Sequence, residues 1–214
     1  MKKVVLLGDS IRMGYDKYVK EALDGVCEVL YPPENCRYAE NVLRFLHEWR
    51  DKGEWGDDAD LVHWNAGLWD VLELFGDEPL STKEYYASLI PRIDKRIRML
   101  FPNAKVVFAT STPVLEDKCR PEFKRHNATI EEYNAIAKNA LADTDTLIND
   151  LYSLLENAPR ELHSDAVHFH TDKGRELIGG KVISVICREL GVSAGEVRLD
   201  GFEPEKYSKD NIGY

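Results

Sequence analysis

The chain carries little that would staple it, anchor it or draw it to a polyanion. Its 214 residues include four cysteines, Cys27, Cys36, Cys119 and Cys187, widely spaced and without a C-x-x-C pair. That pattern reads as four reduced, mostly buried thiols of a cytoplasmic protein. No stretch is long or apolar enough to cross a bilayer. The two lysines and four apolar residues at the start fall short of a secretory signal, and Asp9 interrupts them. Positive charge is also scarce. Lys and Arg number 28 against 38 Asp and Glu, a net charge of −10, and no basic cluster stands out. A nucleic-acid backbone would be repelled, and neither nucleic acid nor membrane is expected as a partner. Internal repeats and low-complexity segments are missing too. What is present, 43% hydrophobic and 31% charged residues, suits a single globular domain.

Val4 to Leu7 is an unbroken apolar run, as expected of a strand buried on both faces of a sheet. It stops at Gly8-Asp9-Ser10, where glycine permits a tight turn. Helical spacing follows through Tyr15, Val19 and Leu23. Further strands are read at Val26 to Tyr31, Asp60 to Asn65, Lys105 to Ser111 and Thr146 to Asn149, with helical patterns between them. Ser81-Thr82-Lys83-Glu84 and Thr129-Ile130-Glu131-Glu132 read as capping boxes. Pro91 is expected to kink or split the helix that reaches Leu100. Val71 to Leu80 reads as a long loop or irregular helix, and Asp150 to His170 as loop-rich. A last helix starts near Thr171 and ends at Gly191.

Five alternations of strand and helix predict an α/β fold, a three-layer α/β/α sandwich around a five-stranded parallel sheet. The order 2-1-3-4-5 puts the end of strand 1 at a topological switch point, where open α/β sheets collect ligands. Residues 1–191 form the expected domain, and 192–214 a polar tail of unassigned role.

Two stretches carry chemistry. In the first, Asp9 or Ser10 can cap the next helix, a common use of both, or Ser10 can present a hydroxyl to the crevice. The second is His163-Ser164-Asp165-Ala166-Val167-His168-Phe169-His170. Asp165 and His168 stand three apart, close enough for the carboxylate to orient the imidazole and stabilise its protonated form. A serine needs such a base to become a nucleophile. Ser10, His168 and Asp165 are therefore the expected triad.

Gly8-Asp9-Ser10 near the amino terminus and Asp165-x-x-His168 near the carboxyl terminus resemble the SGNH/GDSL hydrolase superfamily. The resemblance runs from the first strand to the last helix. It implies a flavodoxin-like fold and hydrolysis of esters or thioesters without metal or organic cofactor. Acetylated sugars, short acyl esters and lysophospholipids are among the substrates implied, with small or carbohydrate esters preferred.

The resemblance also implies an oxyanion hole of three donors. The Ser10 N–H carries over directly, next to Asp9. A glycine N–H is normal after strand 2, but here the loop reads Pro33-Glu34-Asn35-Cys36-Arg37, so an amide of Asn35, Cys36 or Arg37 is the expected stand-in. The block G-x-N-D after strand 3 reads Gly67-Leu68-Trp69-Asp70, with tryptophan in place of asparagine. Asn65 is the inferred substitute. Trp64, Trp69 and Phe75 either floor a sugar or acyl site or simply pack, and Arg12 is either an anion ligand or a solvated helix charge. His47, His63 and His126 have no visible partner. Two other classes stay open: a metal-dependent hydrolase using His163, His168 and His170, and a non-catalytic binding module with a degraded oxyanion hole. The sequence assigns no oligomeric state.

Overall fold

The computed structural model describes residues 1–197, so most of the segment 192–214 lies outside the described residues. Five parallel strands build the main sheet: β1 (Lys2–Leu7), β2 (Cys27–Leu30), β3 (Leu61–Trp64), β4 (Lys105–Ala109) and β5 (Leu147–Asn149). Their order is 2-1-3-4-5. Interior strand β1 pairs with β2 from Lys2 opposite Cys27 and with β3 from Val4 opposite Leu61. Val4 to Leu7 are fully buried, so the apolar run is explained by helices covering both faces.

The helices are α1 (Ser10–Ala22), α2 (Ala39–Lys52), α3 (Lys83–Leu100), α4 (Asn127–Ala140), the short α5 (Leu151–Leu155) and α6 (Asp172–Leu190). The chain moves one way across the sheet from β1 to β2 and the other way from β2 to β5. Right-handed crossovers therefore put α1 on one face and α2, α3 and α4 on the other. Helix α1 packs against α6, and α2, α3 and α4 pack in a row. The result is a three-layer α/β/α sandwich whose switch point is the end of β1.

Several local expectations need correction. Helix α3 runs unbroken through Pro91. Its cap is Thr82, whose hydroxyl accepts from the Tyr85 N–H, one residue later than the capping box implied. Ser81 instead donates its hydroxyl to Asp70 at 2.8 Å. Helix α4 starts at Asn127, which places Thr129 inside it rather than at its cap. The loop after β3 also holds a short strand. Glu73–Leu74 pairs antiparallel with Phe123–Lys124 from the segment after β4, an association of distant residues that no local pattern announces.

Trp64 is buried in the sheet against Phe108, ring centroids 4.8 Å apart. His63 beside it is also fully buried, and it accepts from the Asn149 amide across 3.1 Å. It is thus a core histidine rather than a surface one. His126 is paired with Glu116 at 3.0 Å and stands 3.6 Å from Glu73.

Candidate active site

At the end of β1 the chain turns through Gly8 and enters α1 at Ser10. A Cβ on Gly8 would lie 1.9 Å from Asn65 Oδ1 and 2.9 Å from Arg12 Cβ, so the turn is closed to any other residue. Asp9 caps α1: its Oδ1 accepts from the Ile11 N–H at 3.0 Å. Burial raises the pKa of the Asp9 carboxyl against the opposing pull of the Asn65 amide. Because Asp9 does the capping, the Ser10 hydroxyl is left for another partner.

That partner is 158 residues away. Ser10 Oγ lies 2.7 Å from His168 Nε2, and His168 Nδ1 lies 2.7 Å from Asp165 Oδ2. The loop carrying both partners is tightly held. Asp165 Oδ1 accepts the N–H groups of Val167 at 2.7 Å and His168 at 2.8 Å. The Ser164 N–H donates to the His168 carbonyl, and the Leu115 N–H ties Ala166 to the segment after β4. Thr171 caps α6 and reaches back to the Leu162 carbonyl. Burial alone would raise the Asp165 pKa, but the His168 hydrogen bond and charge, with the two amides, hold it well below the usual carboxylate range. The carboxylate therefore stays ionised beside the imidazole.

The other candidates are placed less directly. The Cys36 N–H donates to the Gly8 carbonyl at 3.1 Å and the Arg37 N–H to Asn35 Oδ1 at 2.8 Å. Neither of these two amides is left for a substrate oxygen. Asn35 is buried and holds Arg37 in the left-handed region at φ 56°. The Cys36 thiol is pushed up to about 11 by burial. Asn65, the inferred substitute donor, is buried against Gly8, and its side chain hydrogen-bonds Asp9. Gly67 adopts φ 144°, and a Cβ there would lie 2.3 Å from Ser111 Oγ. Its neighbour Asp70 is structural, accepting from the Ala39 N–H and the Ser81 hydroxyl.

Arg12 is neither a solvated charge nor a substrate ligand. It is buried, paired with Asp16 at 2.6 Å, and donates to the Pro32 and Glu34 carbonyls. It ties the loop after β2 to α1. The Ser10 N–H meets no protein acceptor among the described residues, and it stands at the positive end of α1.

The three histidines proposed for a metal do not converge. His168 is engaged with Ser10 and Asp165. The His170 Nε2–H donates to the Ser10 carbonyl across 3.2 Å, and His163 stacks on Phe169 with centroids 3.9 Å apart. Among the described residues no three His, Cys, Asp or Glu side chains form a metal-holding group. Burial and the neighbouring His168 push the His170 pKa down to about 4.

A cavity of about 250 Å³ opens at Ser10 and His168. Leu68, Trp69, Phe123 and Val167 give it apolar walls, and Lys118, Arg120 and Arg125 also line it. Of the aromatic trio, Trp69 alone lines this cavity. Trp64 is core, and Phe75 is exposed at 79%. The basic group contradicts the sequence reading that no basic cluster stands out: three cations drawn from eight residues gather at the site. A count of Lys and Arg over residues 118–125 is the signal that finds them.

No protein-family model and no curated protein sequence matches the chain. Solved structures do. A lipase/acylhydrolase from Enterococcus faecalis is 20% identical, covers 92% of this chain and 100% of its own, and superposes with a TM-score of 0.68. The fold is that of the GDSL hydrolases. A member of the lipolytic G-D-S-L family from Veillonella parvula is 17% identical over 88% of this chain and 100% of its own, TM-score 0.64. A catalytic mutant of an acetylxylan esterase from Geobacillus stearothermophilus is 15% identical over 92% and 97%, TM-score 0.64.

Proposed function

We propose that the chain is a serine esterase of the SGNH/GDSL superfamily, cleaving small carboxylic esters through an acyl-serine intermediate. One observation carries the reading: Ser10, His168 and Asp165 form an unbroken relay with both links at 2.7 Å, opening on a cavity. The likeness in fold to GDSL lipases and acetylxylan esterases supports it.

Ser10 Oγ attacks the ester carbonyl as His168 Nε2 takes its proton. Asp165 accepts from His168 Nδ1–H, fixing the tautomer that leaves Nε2 basic, and stabilises the imidazolium that forms. His168 then hands the proton to the leaving alcohol. In the second half it draws a proton from water, which attacks the acyl-serine carbonyl and frees Ser10. No step calls for a metal or an organic cofactor.

The tetrahedral oxygen rests first on the Ser10 N–H, aided by the α1 dipole. With the Cys36 and Arg37 amides engaged elsewhere and the Asn65 side chain bonded to Asp9, three of the four expected stand-ins are taken and the hole is poorer than the superfamily's usual set. Each missing donor costs on the order of 3 kcal/mol of transition-state stabilisation, so turnover of simple esters is slow. A volume near 250 Å³, just below the usual range of ligand pockets, favours acetyl and other short acyl groups. We read the four unpaired thiols as those of a cytoplasmic enzyme. Among the described residues no helix is long and apolar enough to cross a membrane.

The test is hydrolysis of p-nitrophenyl acetate by wild type and Ser10→Ala, with and without a chelator. Wild type turns the ester over, Ser10→Ala loses at least ~1,000-fold, and the chelator changes nothing. Equal rates from wild type and Ser10→Ala would overturn the reading.

A further inference from the structure

Arg125 commits one of its nitrogens to the protein and leaves the others facing the cavity. It follows the strand pair Glu73–Leu74 and Phe123–Lys124, which folds residues 118–125 against the loop after β3. Its side chain is buried at 8% exposure, and its Nε donates to the Leu68 carbonyl at 2.6 Å. That bond fixes the guanidinium plane in the cavity wall, within the block Gly67-Leu68-Trp69-Asp70. The two terminal nitrogens have no hydrogen-bond acceptor and no carboxylate within 4 Å among the described residues. Both terminal nitrogens open on the cavity rather than being sealed in protein, so an anion entering it can complete the fork.

No nearby acid is a dedicated counter-ion. Asp165 is committed to His168 and Asp9 to the cap of α1. Glu116 and Asp117 on the same segment are engaged by His126 and Arg160. Lys118 and Arg120 stand exposed at the cavity mouth with no ion pair among the described residues. In a chain of net charge −10, three cations without an ion-pair partner among the described residues line one cavity whose only acidic lining residue is Asp165. Asp9 and Asp165 act on Arg125 only at a distance, so the local field there is positive.

We propose that Arg125, with Lys118 and Arg120 at the rim, binds an oxyanion group of the substrate, a carboxylate or phosphate. The ester cleaved at Ser10 would then carry a negative charge a few bonds from its scissile carbonyl. The proposal rests on the esterase reading and narrows its substrate class. The free edge of the Arg125 fork suits two parallel N–H bonds to such a group, which a lysine does not reproduce.

Two assays test it. The first compares kcat/KM for 3- and 4-acetoxybenzoate with the neutral 3- and 4-acetoxybenzamides, each corrected for its rate with hydroxide. Wild type prefers at least one charged ester by roughly tenfold or more, and added salt erodes the preference. Arg125→Gln abolishes the preference and Arg125→Lys keeps part of it, with unchanged melting temperatures. A wild type indifferent to charge overturns the proposal. So does an Arg125→Gln variant that loses both substrates equally, since Arg125 would then serve the reacting oxygen or the fold. The second assay needs no turnover: calorimetric titration of Ser10→Ala with monomethyl succinate and with inorganic phosphate. Binding of either that Arg125→Gln removes supports the anion site, and the better ligand identifies the group. Binding of neither overturns it. An enzyme inert on all esters but binding one anion through Arg125 would refute the esterase reading while leaving this site standing.

Discussion

Asn65 Oδ1 stands so close over Gly8 that a Cβ there would sit 1.9 Å away. The contact couples the end of β3 to the turn that aims Ser10, and it explains the glycine better than backbone freedom does. Gly8→Ala is expected to displace either the Asn65 amide or the nucleophile turn. Overpacking of this kind costs about 1–3 kcal/mol, and the loss of esterase rate should exceed what that instability explains. Melting temperature and kcat measured together check this. A variant as active as wild type would mean that the turn yields freely.

Asp165 receives two amides on one oxygen and His168 Nδ1 on the other. Asp165→Asn keeps the first oxygen but turns a donor toward Nδ1. The imidazole must then carry its proton on Nε2, facing Ser10, where it cannot act as a base. The expected fall in kcat is about 10⁴-fold, with KM and melting temperature little changed. Steady-state kinetics beside a thermal melt decide it, and a loss below about tenfold would remove Asp165 from the mechanism.

His63 is fully buried, and burial lowers its pKa to about 4. An unfolded chain holds its histidines near 6.5. Between those values the unfolded state binds the extra proton. The contribution of His63 is thus complete above pH 6.5 and is lost as pH falls toward 4, by up to about 1.4 kcal/mol per pH unit. Asp70, raised by burial to about 6, works the opposite way from pH 4 to 6, and His170, also lowered to about 4, works the same way as His63, so the bare wild-type curve mixes them. The difference between wild type and His63→Gln isolates the histidine: their urea midpoints should converge as pH falls from 7 to 4.5. Parallel curves would show that His63 does not titrate on unfolding.

Strand order and layers were legible because the apolar run Val4 to Leu7 and its successors alternate with helices, and handedness leaves few topologies. Ser10, Asp165 and His168 were legible because a turn at the end of β1 and a loop before α6 open on the same crevice. Arg125 was hidden because a ribbon only two residues wide, Glu73–Leu74 with Phe123–Lys124, delivers it to the site. Such pairing leaves no period in the sequence. Arg12 misled for a related reason: its acceptors Pro32 and Glu34 are backbone carbonyls, and carbonyls carry no residue-type signal. The cap at Thr82 rather than Ser81 reflects Asp70, which claims the Ser81 hydroxyl from across the loop.

The nucleophile proposed here can be tested directly. Wild type mixed with p-nitrophenyl acetate, quenched in acid within the first turnovers and digested, should yield an acetylated peptide containing Ser10. The same treatment of Ser10→Ala should yield none. Acetylation found instead at another cavity residue such as Cys119, or undiminished turnover by Ser10→Ala, would contradict the account.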